Sequence, residues 1–189
     1  MRLFVALDLP VEDRERVTAW RDELVRRREQ LRPVAAASLH VTLVFLGHRP
    51  ADEVEAIAAS AFDPLAALAP VLLVPRAVVG VPARRPRLYA LDLLDPGGEA
   101  AALQSAVSDA LERSGHHRPE RRPFWPHVTL ARVKPGRRSG SLDSPVPPGP
   151  FVARRVTLYR SILRPQGALY EPLARARLAR PGPDFEPVS

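Results

Sequence analysis

The sequence predicts an α+β fold built on antiparallel sheets, and three observations carry that expectation. Segments of strand and helix periodicity alternate irregularly, without the strict βαβ order of a doubly wound parallel sheet. The tetrapeptide His-Val-Thr-Leu occurs twice, at His40–Leu43 and His127–Leu130, each time inside strand-like sequence. The chain has 189 residues, 46% of them hydrophobic and 26% charged, enough for one domain or two small lobes with a buried core.

Arg2 to Leu9 sets Leu3, Val5 and Leu7 against Arg2, Phe4, Ala6 and Asp8, the period-two pattern of a first strand. Pro10 with Glu12 and Asp13 opens a helix expected to run to about Gln30, with Val17, Trp20, Leu24 and Val25 on one stripe. Ser38–Gly47 reads as a second strand closed by a glycine. Asp52 is placed to cap a helix through about Leu68, with Val54, Ile57 and Ala61 as its apolar face and Pro64 as a break before its end. Strands are expected near Val71–Val79 and Leu88–Leu94. Pro96-Gly97-Gly98 then turns the chain into a helix from Glu99 to Ser114, stopped by Gly115. His127–Val133 is the next strand, and a Pro-, Gly- and Ser-rich loop occupies 135–150. Two closing strands follow, near Ala153–Leu163 and Ala168–Ala176. Residues 1–180 are expected to form one domain of two lobes, and 181–189 a frayed tail.

Composition narrows the chemistry. No apolar run reaches the 18 or so residues that cross a bilayer. The start of the chain reads as a strand of a mature protein and lacks the pattern of a signal peptide. There is no cysteine, so disulfides, thiolate metal sites and cysteine nucleophiles are excluded, and a cytoplasmic location is expected. The net charge of +7 permits a polyanionic partner without requiring one. Lys134 is the only lysine among 28 basic residues, and with 22 prolines this resembles the codon usage of a GC-rich genome as much as a binding surface.

The repeated tetrapeptide is the informative feature. Its two copies stand 87 positions apart, each with helical sequence some way before it, as an old duplication would leave them. Residues i and i+2 of a strand share a face, so His40 pairs with Thr42 and His127 with Thr129. On that alternation Val41, Leu43 and Phe45 lie on the core side, as do Val128 and Leu130. Two lobes related by a pseudo-twofold axis would set the polar pairs across a cleft. Histidine titrates near neutrality, so one ring can accept a proton while the other donates, which suits in-line displacement at phosphorus. The threonine hydroxyls and an arginine such as Arg132 are placed to hold the non-bridging oxygens. No metal is needed, and two histidines without thiolates fall short of a zinc site. His48, His116 and His117 fall in turns and read as solvated.

These motifs and their flanks resemble a known family. Paired His-x-Thr motifs are the signature of the 2H phosphoesterase superfamily. The stretches Arg2–Pro10, Leu39–Gly47, Arg122–Arg132, Val156–Ser161 and Tyr170–Leu173 resemble its RNA 2',3'-cyclic phosphodiesterase branch, the proteins historically called 2'-5' RNA ligases. The resemblance implies a bilobal pseudo-twofold fold, two antiparallel sheets with outer helices around a central cleft. It implies metal-independent, cofactor-free hydrolysis of a terminal 2',3'-cyclic phosphate to a 2'-phosphomonoester, reversible toward 2'-5' ligation. It makes His40 the acid and His127 the base, with Thr42 and Thr129 on the phosphate.

Arg132 is a further candidate for the phosphate or a neighbouring nucleotide, against a strand-end salt bridge. Phe4 is a candidate for stacking on a base, against a second-layer core aromatic, and Phe124 or Trp125 could stack instead. Arg84-Arg85-Pro86-Arg87 and Arg137-Arg138 could track an RNA backbone or be solvated surface. The expected partners are RNA ends or nucleotides bearing the cyclic phosphate, met by a monomer away from any membrane. The alternative is a non-catalytic module that binds RNA ends or nucleotides without turnover.

Overall fold

A computed structural model describes residues 1–142, 144–147, 149–164 and 167–178. The tail expected at 181–189 lies outside the described residues. Nine strands and three helices follow in the order β1 (Arg2–Asp8), α1 (Val11–Val25), β2 (Leu31–Pro33), β3 (His40–His48), α2 (Val54–Phe62), β4 (Val71–Val81), β5 (Leu88–Leu94), α3 (Glu99–Arg113), β6 (His127–Val133), β7 (Phe151–Ala153), β8 (Arg155–Arg164) and β9 (Gly167–Arg177).

The strand order β7-β4-β5-β6-β3-β1-β8-β9 is symmetric about its centre. Every pair is antiparallel. Reading outward from the middle, β3-β1-β8-β9 forms one half and β6-β5-β4-β7 the other. The halves meet at a single bridge, Val41 opposite Val128. The β1-α1-β3 run of the first half is thus echoed by β5-α3-β6 in the second. The duplication expected from the tetrapeptide extends to whole lobes, and the expected two sheets meet edge to edge.

The core lies behind the motif strands. Leu3, Val5 and Leu7 of β1, Val41 of β3, Leu91 of β5 and Val128 and Leu130 of β6 are all buried. Helix α3 adds Ala100, Leu103, Val107 and Leu111 at the three- and four-residue spacing of one helical face. Its first turn is held by Asp95, whose carboxylate accepts the Ala100 N–H at 3.1 Å and the Ala101 N–H at 2.9 Å.

Three expectations change in the structure. Helix α1 ends at Val25, because Leu31–Pro33 instead pairs with β6, Leu31 opposite Val133 and Pro33 opposite Ala131. Tertiary pairing on a strand edge overrides the helical character of 26–30. Helix α2 begins at Val54 with no side-chain cap from Asp52, and it ends at Phe62, where Pro64 starts a 3-10 turn over Asp63–Ala67. Phe45 is on the cleft side and 41% exposed, although strict alternation put it in the core. The register of β1 on β3 shifts between Val5 and Ala6, leaving Leu43 as an extra residue; the alternation changes phase there and Leu43 and Val44 are both buried.

Candidate active site

The bridge between the halves dictates the arrangement of the motifs. Because β3 and β6 run antiparallel with Val41 opposite Val128, His40 lies across from Thr129 and Thr42 across from His127. The histidines occupy one diagonal of a square and the threonines the other. Each motif strand then rests on an equivalent neighbour. On β1, Asp8 is opposite His40 and Ala6 opposite Thr42; on β5, Asp92 is opposite His127 and Ala90 opposite Thr129.

Both imidazoles are fixed the same way. The Nδ1–H of His40 donates to the Ser38 carbonyl at 2.8 Å, and that of His127 to the Trp125 carbonyl at 2.8 Å. A carbonyl can only accept, so this contact leaves Nε2 of each ring for proton transfer. Nε2 of His40 lies 3.0 Å from the Thr42 hydroxyl.

The rings around the two histidines differ. His40 stacks on Phe4 at 4.9 Å between centroids, with Tyr170 edge-on at 5.2 Å, and Tyr159 packs beside both, 5.3 Å from Phe4 and 6.1 Å from His40. Phe4 is buried in this cluster of rings and backs the histidine. His127 stacks on Trp125 at 4.0 Å, with the ring planes 15° apart. Burial pushes His40 down to about 4, only partly offset by its bond to Ser38 and by the charge of Asp8, while His127 lowers it further. In the free protein at neutral pH, His40 is neutral.

Two cavities open from the square. The first, about 470 Å³, is lined by His40, Thr42 and Thr129 and carries the guanidinium groups of Arg2, Arg32, Arg132 and Arg164. The second, about 460 Å³, is lined by Thr42, His127, Phe124 and Trp125 and by Asp109, His117, Glu120 and Arg122, a balance of both signs. Phe45 lines both, with the Arg2 guanidinium over its ring at 4.9 Å. The cleft thus has a strongly basic arm beside His40 and a mixed arm beside His127.

The structure brings together His40, Thr42, His127, Thr129, Arg132 and Phe4. Arg84, Arg85, Arg87, Arg137 and Arg138 line neither arm. His116 pairs with Glu53 at 3.6 Å, so it is not simply solvated; His117 is partly buried on the wall of the second arm, and burial lowers its pKa. The Arg132 side chain is exposed and makes no hydrogen bond or ion pair among the described residues, so the strand-end salt bridge is not formed. No cluster of three or more His, Asp or Glu is placed to hold a metal ion among the described residues.

Sequence reasoning missed Phe45, Tyr159, Tyr170 and the two carboxylates Asp8 and Asp92. A signal for the carboxylates was present: Ala-Leu-Asp-Leu stands at Ala6–Leu9 and again at Ala90–Leu93.

Residues 9–163 match the family described as the 2'-5' RNA ligase superfamily. The RNA 2',3'-cyclic phosphodiesterase of Escherichia coli is 33% identical over 186 residues, spanning 95% of this chain and 97% of that protein. The RNA 2',3'-cyclic phosphodiesterase of Thermus thermophilus is 32% identical over 187 residues, 94% of this chain and 90% of the relative. Among solved structures, TT0787 of Thermus thermophilus superposes with a TM-score of 0.82 at 28% identity, covering 95% of this chain and 98% of that one. E. coli LigT complexed with 3'-AMP superposes with a TM-score of 0.78 at 31% identity, over the same shares.

Proposed function

Since the chain belongs to the 2'-5' RNA ligase superfamily, we propose that it is an RNA 2',3'-cyclic phosphodiesterase working through His40 and His127. The observation that carries this reading is the diagonal square. Two imidazoles, each held at Nδ1 and free to act at Nε2, face one space with a threonine beside each. That is what in-line displacement at a cyclic phosphate needs: a base behind the attacking water, an acid behind the leaving oxygen, and donors for the equatorial oxygens.

His127 removes a proton from water as its oxygen bonds to phosphorus; the P–O3' bond breaks, and His40 gives its Nε2 proton to the departing 3' oxygen. The P–O2' bond survives, so the product is a 2'-phosphomonoester. Two features support His40 as the acid. The basic arm is on its side, so the ribose and the anionic chain upstream of it lie there. Burial also makes His40 a weak base and, once protonated, a strong donor. The incoming phosphate anion supplies the attraction that protonates it. Thr42, Thr129 and Arg132 hold the non-bridging oxygens.

The mixed arm beside His127 is open to the same square, and a 5'-hydroxyl strand lodged there would take the place of water. Microscopic reversibility then gives 2'-5' ligation, with His127 as acid and His40 as base.

The role order is tested with a cyclic substrate whose 3' oxygen is replaced by sulfur. A thiolate leaves without a proton, so His40→Ala should recover most of its lost rate on this substrate and His127→Ala none. Equal recovery in both variants, or in neither, would refute the assignment.

A further inference from the structure

Asp8 and Asp92 are the only acidic residues buried in the two strands that flank the motif strands, at 8% and 3% exposure. Each is directly opposite its lobe's histidine. Each is held by an arginine from the next strand outward: the Arg155 Nε–H donates to Asp8 at 2.9 Å and the Arg76 Nε–H to Asp92 at 2.6 Å. The remaining oxygen of each carboxylate accepts from an aromatic side chain. The Trp125 indole N–H reaches Asp92 Oδ1 at 2.7 Å, and the Tyr159 hydroxyl reaches Asp8 Oδ1 at 2.9 Å. Those rings in turn support the histidines: Trp125 lies flat against His127, and Tyr159 packs against His40 at 6.1 Å and against Phe4, on which His40 stacks. In the first lobe Thr157 adds a third bond to Asp8 at 2.9 Å.

A buried carboxylate must be paired and hydrogen-bonded to persist, and these two are. Neither is needed for packing alone, since an apolar side chain would serve at a buried strand position. What the same arrangement in both lobes has in common is an aromatic ring, fixed in orientation by a carboxylate, packed against an imidazole. We propose that Asp92 is a positioning residue for His127, acting through Trp125, and that Asp8 is its counterpart for His40, acting through Tyr159. Trp125 is well suited to transmit the constraint. Its carbonyl holds His127 Nδ1 and its ring holds the imidazole plane, so Asp92 fixes both through one N–H.

This inference rests on the hydrolytic reading above. Its test measures steady-state hydrolysis of the cyclic-phosphate RNA by Asp92→Asn, Trp125→Phe and the double variant. Loss of orientation affects the transition state more than substrate binding, so each single variant should lose about 10- to 100-fold in kcat, with KM held within about twofold. If both act on one contact, Asp92→Asn should cost the Trp125→Phe enzyme less than about threefold more. Tyr159→Phe should behave likewise for the first lobe. Losses that multiply, an unchanged kcat or a rise in KM would overturn the proposal, the last by making Trp125 a substrate contact. If Asp92→Asn fails to fold, Arg76→Gln replaces it in the same cycle with the same expected non-additivity. A wild-type protein without hydrolysis would instead overturn the functional reading, so the two failures are distinct.

Discussion

His40 and His127 have the same local sequence and the same Nδ1 contact, yet His40 has the more buried, aromatic surroundings. Its pKa falls to about 4, against about 6.5 for an unfolded histidine, and two consequences follow. The acid limb of kcat/KM should lie near pH 4, because the limb set by His40 in free enzyme moves with its pKa whichever proton role it plays. A limb near 6.5 would contradict the burial account. The unfolded chain also takes up a proton at this residue below pH 6.5, which the folded chain refuses until about pH 4. Folding stability is therefore lost across that window as pH falls, and above it the residue contributes no pH dependence. Thermal melts from pH 7 to pH 4 should show a shallower decline in His40→Ala than in wild type; identical slopes would count against the assignment. Both His-x-Thr pairs were legible in the sequence, since strand alternation alone sets His40 beside Thr42 and His127 beside Thr129. The burial of one ring was not, because it comes from Phe4, Tyr159 and Tyr170 on three other stretches of chain.

Strands were more legible than their edges and irregularities. The Leu88–Leu94 and His127–Val133 strands match their expected bounds, each being a continuous run behind a turn or proline. The short β2 was not legible because its reason to exist is the edge of β6, some hundred residues away in sequence. Nor was the extra residue at Leu43, which turns Phe45 from core to cleft: the shift is set by the opposing strand. The Ala-Leu-Asp-Leu echo lacks meaning until pairing places each aspartate opposite a histidine. Helix α3 offers a clean test of an element apart from chemistry. Asp95→Ala removes the acceptor of two N-terminal N–H groups and should cost about 0.5–2 kcal/mol in denaturant unfolding, with kcat unchanged. A change in kcat would show that α3 is coupled to the cleft. In contrast, Leu130→Ala, fully buried beside Thr129, should cost about 2–5 kcal/mol.

The molecule as a whole is a duplicated lobe folded about one bridge, and on the proposed mechanism its function depends on the two copies not being equivalent. The arm beside His40 gathers Arg2, Arg32, Arg132 and Arg164, whereas the arm beside His127 mixes Asp109 and Glu120 with Arg122. On the proposed mechanism, that difference gives a symmetric square of side chains a direction along an anionic chain. The duplication was readable from two tetrapeptides, but the direction was not, because its charges come from separate elements and loops far apart in the chain. The net charge of +7 indicated only that an anion was tolerable. The most direct test of the central claim is to incubate the protein, with EDTA present, on an RNA oligonucleotide ending in a 2',3'-cyclic phosphate and to follow the product by mass and phosphatase sensitivity. The expected product has gained one water and ends in a 2'-phosphate, at a rate that EDTA leaves unchanged and His127→Ala abolishes while the fold persists. Bound but unaltered RNA, or turnover that stops with EDTA, would contradict the claim.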